Sequence, residues 1–189
     1  MRFVHLRCHC CFSLLSGVSS VYELVRCADE LGYTELALTD TNGLYAAPEF
    51  WKITRGSSVR PIFGVELTAG LERRNRGARA VALAVDRDGF AAACRLATSR
   101  HLDKDFELGE SLRREAEGGK LVIFTSDSDL LSHLAGKLPD DVLYTELCPG
   151  NPLTGSTDRL RQLAKLAAEL SLPLVGTADA PFTTSEGYA

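Results

Sequence analysis

Short apolar runs alternate with amphipathic segments along the 189-residue chain. The apolar runs have the length and composition of buried β-strands, whereas the amphipathic segments repeat apolar residues every three or four positions, as one helix face does. Strands are predicted at residues 2–6, 35–40, 59–69, 80–86, 120–127, 142–150 and 172–182. Helices are predicted at residues 19–32, 42–54, 87–102, 109–118, 129–138 and 157–173.

Local signals sharpen several of these boundaries. Ser20 and Glu23 match the capping box that begins a helix, and Gly32 is a stop signal. A basic, glycine-bearing turn joins residues 62–69 to residues 80–86, which predicts a hairpin. Because strands otherwise alternate with helices, the pattern predicts an α/β fold with a mostly parallel sheet, either open or closed into a barrel.

Polar residues cluster at the carboxyl ends of the predicted strands. "TD" follows "ELAL", Glu66 follows "PIFGV", "TSD" follows "LVIF" and "TAD" follows "PLVG". In α/β folds that edge of the sheet binds ligands. Ordinary solvent-exposed loops produce the same pattern, so the strand ends alone leave both interpretations open.

The overall composition limits the classes of function. The chain is 45% hydrophobic and 24% charged, with a net charge of -4, which is typical of one globular domain rather than of a disordered or fibrous protein. An acidic chain is not drawn to DNA by its overall field, so DNA contact would need a local basic patch or a partner domain. Without a secretory signal or a membrane-length apolar run, a cytoplasmic location, no membrane partner and reduced cysteines are expected.

The N-terminal segment "FVHLRCHCCFSLLSG", residues 3–17, looks like a metal site interrupted by an arginine. In an extended strand Arg7, His9 and Cys11 share one face, while Cys8 and Cys10 share the other. One interpretation is a new zinc site of His9, Cys11 and a carboxylate. The other is that Cys8 and Cys10 are small buried residues and that Cys11 fills space left by lost ligands.

Two histidines and a short basic run also have both a functional interpretation and a solvent-exposed one. His101 and His133 lie among polar residues in predicted surface helices, so solvent exposure is expected. The short basic run "ERRNR", residues 72–76, is typical of a solvated hairpin tip, with a nucleic-acid patch as the alternative.

Four separated motifs resemble the PHP (polymerase and histidinol phosphatase) domain at the N-terminus of bacterial DNA polymerase III alpha subunits. Residues 3–17, with the segment up to residue 51, resemble its opening F-V-H-L-H-x-H-S-x-Y-S-L-L-D-G and A-L-T-D-H-G-N-L pattern. "PIFGVELT", "LYTEL" and "LPLVGTADAPF" resemble its later strands in the same order. The resemblance implies a distorted, abbreviated TIM-like (βα) barrel that forms a single domain over residues 1–189.

The family's metal ligands are only partly kept in this chain. An active PHP site resembles a trinuclear cluster, held by histidines and carboxylates, that hydrolyses phosphate esters. The resemblance implies that His9, Glu66 and Asp179 are the remnant ligand positions. The substituted or neighbouring cleft positions are His5, Arg7, Ser16, Asp40, Thr41 and Cys11. Family histidines are replaced by Arg7, Thr41 and Pro181, and a family aspartate by Ser16.

These departures change what the site is expected to bind. Three ligands can hold one zinc ion but not a trinuclear cluster. We therefore expect no cofactor, or at most one divalent ion such as zinc or manganese. Because arginine is a permanent cation, an ion pair of Arg7 with Glu66 or Asp179 is expected in its place.

The resemblance leads to one expected function and two alternatives. The expected function is a non-catalytic PHP domain with a structural or partner-binding role in DNA replication or repair synthesis. Its partners would be other polymerase domains or replication proteins such as a proofreading exonuclease, with DNA contacted only indirectly. The alternatives are a metal-dependent phosphoesterase or 3′–5′ exonuclease with a reduced metal site, and a stand-alone module that binds a phosphate-bearing ligand through Arg7. Whether the chain is complete or part of a longer polymerase stays open.

Overall fold

The computed structural model describes residues 3–14, 16–70, 77–149 and 155–178. The helices in these ranges are α1 (Val21–Glu30), α2 (Ala47–Thr54), α3 (Arg87–Leu102), α4 (Leu108–Glu115), α5 (Ser128–Leu134) and α6 (Thr157–Glu169). The strands are β1 (Glu35–Leu38), β2 (Arg60–Thr68), β3 (Arg79–Ala84), β4 (Leu121–Thr125), β5 (Leu143–Leu147) and β6 (Leu174–Gly176). Every predicted helix has a counterpart among these elements.

The capping box predicted at the start of α1 is present. The Ser20 hydroxyl accepts a hydrogen bond from the Glu23 N–H at 3.2 Å, and the Glu23 carboxylate accepts one from the Ser20 N–H at 2.7 Å. Two of the four N–H groups that a helix start leaves unpaired are satisfied in this reciprocal way. α1 therefore begins where the local sequence dictates.

The six strands form one sheet in the order β1-β2-β3-β4-β5-β6. β3 is antiparallel to both of its neighbours, and the other adjacent pairs are parallel. The predicted hairpin is confirmed by the pairing of β2 with β3, in which Thr68 lies opposite Arg79. As a result, the carboxyl ends of β1, β2, β4, β5 and β6 and the amino end of β3 lie at one edge of the sheet.

The sheet is curled into part of a barrel with the helices outside. β2 and β5 are separated by two strands, which in a flat sheet would place them roughly 14 Å apart. Yet the guanidinium of Arg7 contacts both Glu66 on β2 and Glu146 on β5. The mixed α/β fold and the abbreviated TIM-like barrel are therefore both observed.

Apolar side chains pack between the sheet and the helices. The largest cluster lies between the sheet and α3 to α6, with Leu96, Leu112 and Leu131 fully buried. A second cluster packs α1 and α2 against β1 and includes Cys8 and Cys10. The prediction that these two cysteines are small buried residues is confirmed.

The first predicted strand is wrong as a regular element. Residues 3–9 run beside β1, but the described backbone pairing consists of an isolated parallel bridge between His5 and Leu36 and of two hydrogen bonds, from the Ala37 N–H to the His5 carbonyl and from the Thr39 N–H to the Cys8 carbonyl. These contacts are too few for a continuous ladder. The basic run 72–76 and the part of the last predicted strand after residue 178 lie outside the described residues.

Candidate functional site at the carboxyl ends of the strands

A buried arginine lies at the centre of this edge of the sheet. The Nη1 of Arg7 donates hydrogen bonds to both carboxylate oxygens of Glu146, at 3.2 and 3.1 Å, and its Nη2 donates to Oε2 of Glu66. The side chains of Arg7, Glu66 and Glu146 are 7%, 1% and 3% exposed. The predicted ion pair of Arg7 with Glu66 is therefore present; its alternative partner, Asp179, lies outside the described residues.

Glu66 accepts hydrogen bonds from three different side chains, including that of Arg7. Its Oε1 accepts hydrogen bonds from Arg79 Nη1 at 2.9 Å and from the Thr41 hydroxyl at 3.3 Å. Burial alone raises the pKa of Glu66, but Arg7, His9 and Arg79 together outweigh burial and hold that pKa below its usual range. Glu66 is therefore a buried carboxylate that its cationic neighbours keep ionised.

Glu146 was not among the predicted site residues. It is the penultimate residue of β5 and accepts a hydrogen bond from the Thr177 hydroxyl at 2.7 Å, in addition to the two from Arg7. A signal was present in the sequence, because "LYTEL" places a charged residue within an apolar run. Charged side chains are rarely buried unless they are paired, so Glu146 called for a buried cation.

A second polar network lies beside the first. The Nε2 of His9 is 3.7 Å from Oε2 of Glu66, and its Nδ1 is 3.1 Å from the Ser13 hydroxyl. That hydroxyl donates to Oδ1 of Asp40 at 2.6 Å, and the Cys10 thiol donates to Oδ2 of the same carboxylate at 2.8 Å. Burial first, and the neighbouring Asp40 carboxylate second, raise the pKa of Cys10 far above its ordinary value. This thiol is therefore a hydrogen-bond donor and not a thiolate nucleophile or ligand.

The structure brings together only some of the predicted site positions. Those that meet at the sheet edge are Arg7, His9, Asp40, Thr41 and Glu66.

Of the other predicted positions, His5, Ser16 and Cys11 lie elsewhere in the described structure, and Asp179 lies outside it. His5 is half-buried and packs edge-on between the rings of Phe3 and Tyr33, where burial lowers its pKa. Ser16 and Cys11 are exposed. The prediction that Cys11 fills space in the cleft is wrong, because the chain leaves its extended path at a turn that begins at residue 11.

Among the described residues, two guanidinium groups face the two buried glutamates at the centre. Arg7 and Arg79 face Glu66 and Glu146, and each carboxylate binds at least one guanidinium. Among the residues that the structure describes, no group of three or more His, Cys, Asp or Glu side chains is arranged to hold a metal ion. The guanidinium of Arg7 lies between Glu66 and Glu146, whose carboxylates would otherwise be the main oxygen donors to a metal ion at this edge.

Comparison with known families agrees with this fold. The sequence profile of the PHP domain matches residues 5–147. Because the match covers most of the chain, the protein belongs to the PHP domain family.

The relatives of this chain are DNA polymerases. It is 41% identical over 116 residues to the error-prone DNA polymerase of Anaeromyxobacter sp. (strain K), covering 61% of this chain and 10% of that protein. It is 46% identical over 65 residues to the DNA polymerase III subunit alpha of Bacillus subtilis, covering 34% and 6%. An alignment with the error-prone DNA polymerase of Symbiobacterium thermophilum covers 100% of this chain and 20% of that protein at 29% identity. The chain thus spans a fifth or less of these polymerases.

Solved structures share the fold at low sequence identity. A proposed metal-dependent phosphoesterase from Bifidobacterium adolescentis superimposes with a TM-score of 0.63 at 14% identity, covering 96% of this chain and 88% of that one. An amidohydrolase from Chromobacterium violaceum gives 0.59 at 12% identity, with 94% and 87% covered. Within the described ranges, each helix is too short or too polar to cross a bilayer.

Proposed function

We propose that this PHP domain is non-catalytic and that it has a structural or partner-binding role in cytoplasmic DNA replication or repair synthesis. The relation to DNA polymerase III alpha and error-prone polymerases supports the setting. In this proposal residues 1–189 act as a single domain that works with other polymerase modules or with a protein such as a proofreading exonuclease. The net charge of -4 supports an indirect contact with DNA.

The observation that carries the proposal is the buried guanidinium of Arg7 between Glu66 and Glu146. A metal cluster at this edge would need Glu66, which the family resemblance makes one of its ligands. A divalent ion within a few ångströms of a buried guanidinium meets strong repulsion, because little solvent screens the two charges. The residues present therefore do not fit the metal cluster that the family resemblance implies.

Two of the three remnant ligand positions, His9 and Glu66, also support a non-catalytic site. His9 lies near Glu66, but its Nδ1 contacts Ser13, and Glu66 is engaged by Arg7, Arg79 and Thr41. We include Asp179 in this remnant set on the family resemblance alone. At most one divalent ion, zinc or manganese, is expected in the protein.

The geometry disfavours the phosphate-binding alternative. A phosphate needs an arginine whose N–H groups face the ligand. Arg7 instead donates to two buried carboxylates, and its side chain is only 7% exposed. A phosphate bound there would have to displace one of the glutamates, which would leave that carboxylate buried without its counterion.

Two measurements on the purified 189-residue chain test the proposal. Elemental analysis by mass spectrometry after purification without added metal is expected to find no stoichiometric transition metal. Hydrolysis of bis(p-nitrophenyl) phosphate with added manganese or zinc is expected to remain at the rate of the buffer. The proposal is overturned by stoichiometric metal together with hydrolysis that Glu66→Gln abolishes.

A further inference from the structure

A cavity of about 650 Å³ opens at the amino ends of the strands, inside the barrel. Ile62 and Tyr144 line it, and they lie on the same strand faces as Glu66 and Glu146, four and two residues earlier. The cavity is therefore on the amino-end side of the Arg7 network. Its inner wall is formed by five half-buried apolar side chains from five segments of the chain: Leu6, Ile62, Val122, Tyr144 and Val175.

Aromatic rings form much of the remaining lining. The rings of Phe63 and Phe90 meet edge to face with their centroids 5.5 Å apart, and Phe124 lines the cavity as well. Aromatic rings prefer edge-to-face or offset contacts with other rings. The walls therefore favour an occupant that itself carries an aromatic ring.

The charged groups of the lining are engaged outside the cavity. Among the described lining residues, the charged side chains are Arg60, the first residue of β2, and Asp86, which precedes α3. Arg60 donates to the Glu35 carboxylate at 2.8 Å, and the Asp86 carboxylate accepts a hydrogen bond from the Gly89 N–H at 2.8 Å, which caps α3. Neither charge therefore calls for an ion of opposite sign in the cavity.

The size of the cavity and its apolar walls decide what fills it best. Protein interiors are close-packed and contain few voids larger than a water molecule, so a space of this size is more than a packing defect. An ordered water needs roughly two to four polar partners, which a mainly apolar wall supplies poorly. Replacing solvent at such a wall by an apolar molecule is favourable.

We propose that this amino-end cavity is a binding site for a neutral, apolar small molecule that carries at least one aromatic ring. The volume of about 650 Å³ lies within the range of roughly 300–1,000 Å³ that small-molecule sites occupy. This inference goes beyond the proposed function and does not depend on it, because the cavity and the Arg7 network lie at opposite ends of the barrel.

The test is a fluorescence titration of the 189-residue chain with N-phenyl-1-naphthylamine, a neutral aromatic probe whose emission rises in apolar surroundings. The wild type is expected to bind one probe molecule per chain and to gain in Tm when the probe is present. Val122→Trp places an indole in the cavity and should weaken binding at least about 10-fold. Val18→Trp is the matched control, since it adds the same ring at a side chain that is 62% exposed and should bind as the wild type does.

A second variant changes the polarity of the cavity but not its shape. Val122→Thr replaces one methyl group by a hydroxyl and should weaken binding by about 3–10-fold, because the hydroxyl loses water when the probe enters. Val18→Thr should leave the affinity unchanged. This pair keeps the test decisive if circular dichroism shows that Val122→Trp does not fold.

The outcomes that overturn the proposal are specific. A wild type that does not bind the probe overturns it, and so does binding of unchanged affinity in both folded Val122 variants. Sedimentation velocity identifies the other occupant, a second copy of the chain. A dimeric wild type that becomes monomeric in Val122→Trp would assign the cavity to that copy and overturn the proposal as well.

Discussion

The two ends of the barrel interior differ in the chemistry of the side chains that line them. At the carboxyl ends of the strands, Arg7, Glu66 and Glu146 form a buried network of paired charges. At the amino ends, a cavity of about 650 Å³ is lined mainly by apolar side chains, among them Phe63, Phe90, Phe124 and Tyr144. The same strands therefore carry paired buried charges at one end and a mainly apolar surface at the other.

This difference shows which substitutions each end tolerates. A network of buried charges depends on every partner, since removing one leaves another buried without compensation. An apolar wall depends mainly on volume, and an open cavity leaves room for a larger side chain. Stability should therefore depend on the charge and hydrogen bonding of the side chains at the carboxyl end, and on side-chain volume at the amino end.

The largest effect is expected from Arg7→Met. It removes the cation but keeps an apolar side chain of similar length, so Glu66 and Glu146 lose their shared partner. The free energy of unfolding should fall by about 3–5 kcal/mol. Urea denaturation followed by circular dichroism measures this loss.

The matched control for that variant is Arg79→Met. Arg79 binds the same carboxylate, but its side chain is 48% exposed and solvent screens the pair. A loss below about 1 kcal/mol is expected. Equal losses for the two variants would show that the buried network is no more important than a surface ion pair.

The stability advantage of the wild type over Arg7→Met should decrease as the pH falls. The pKa of Glu66 is lowered in the folded protein, so its contribution is present above the ordinary glutamate pKa of roughly 4.3 and is lost as pH falls toward the lower folded value. Arg7→Met removes the main cation, and protonation then relieves the buried carboxylates. The stability difference between wild type and Arg7→Met, measured by urea denaturation, should shrink from pH 7 to pH 4; a constant difference would contradict the assignment.

A smaller loss is expected from Thr177→Val. The substitution keeps the shape of the side chain but removes the hydroxyl that donates to Glu146 at 2.7 Å. The loss should be about 1–3 kcal/mol, because a buried carboxylate loses one donor. Thr98→Val is the control: the exposed Thr98 hydroxyl bonds only a helix carbonyl, so a change within about 0.5 kcal/mol is expected. Similar changes in the two variants would contradict a specific role for Thr177.

The smallest effect is expected at the amino end. Val122→Phe adds volume toward the cavity of about 650 Å³ and should change stability by less than about 1 kcal/mol. Ala92→Leu, a similar enlargement in the fully buried core between α3 and the sheet, should cost about 1–3 kcal/mol or more. If Val122→Phe proves equally costly in urea denaturation, the cavity is not available to a larger side chain.

Local patterns predicted most of the fold. Helix periodicity, the Ser20 capping box and the hairpin between β2 and β3 all depend on residues close in sequence, and all are observed. The first predicted strand failed because its described pairing with β1 consists of a few isolated contacts. Propensity for extended structure predicts the backbone conformation of a segment, but not how many hydrogen bonds it forms with a neighbouring strand.

The site was predicted less completely than the fold. The contact of Arg7 with Glu66 followed from motif positions. Glu146 also binds Arg7, through two hydrogen bonds, but it was missed because it lies 139 residues away in the sequence. β2 and β5 are not neighbours, and only the curl of the sheet brings Glu66 and Glu146 together. Arg79 lies in the basic turn predicted between residues 69 and 80. Because β3 is antiparallel to its neighbours, its first residue, Arg79, lies at the same edge of the sheet as the carboxyl ends of the other strands.

The most direct test is a crystal structure of the wild-type chain grown with zinc and measured at the zinc absorption edge. The account predicts the guanidinium of Arg7 between Glu66 and Glu146, with no anomalous peak within coordination distance of either carboxylate. A zinc peak between the two glutamates, with Arg7 turned away, would contradict it.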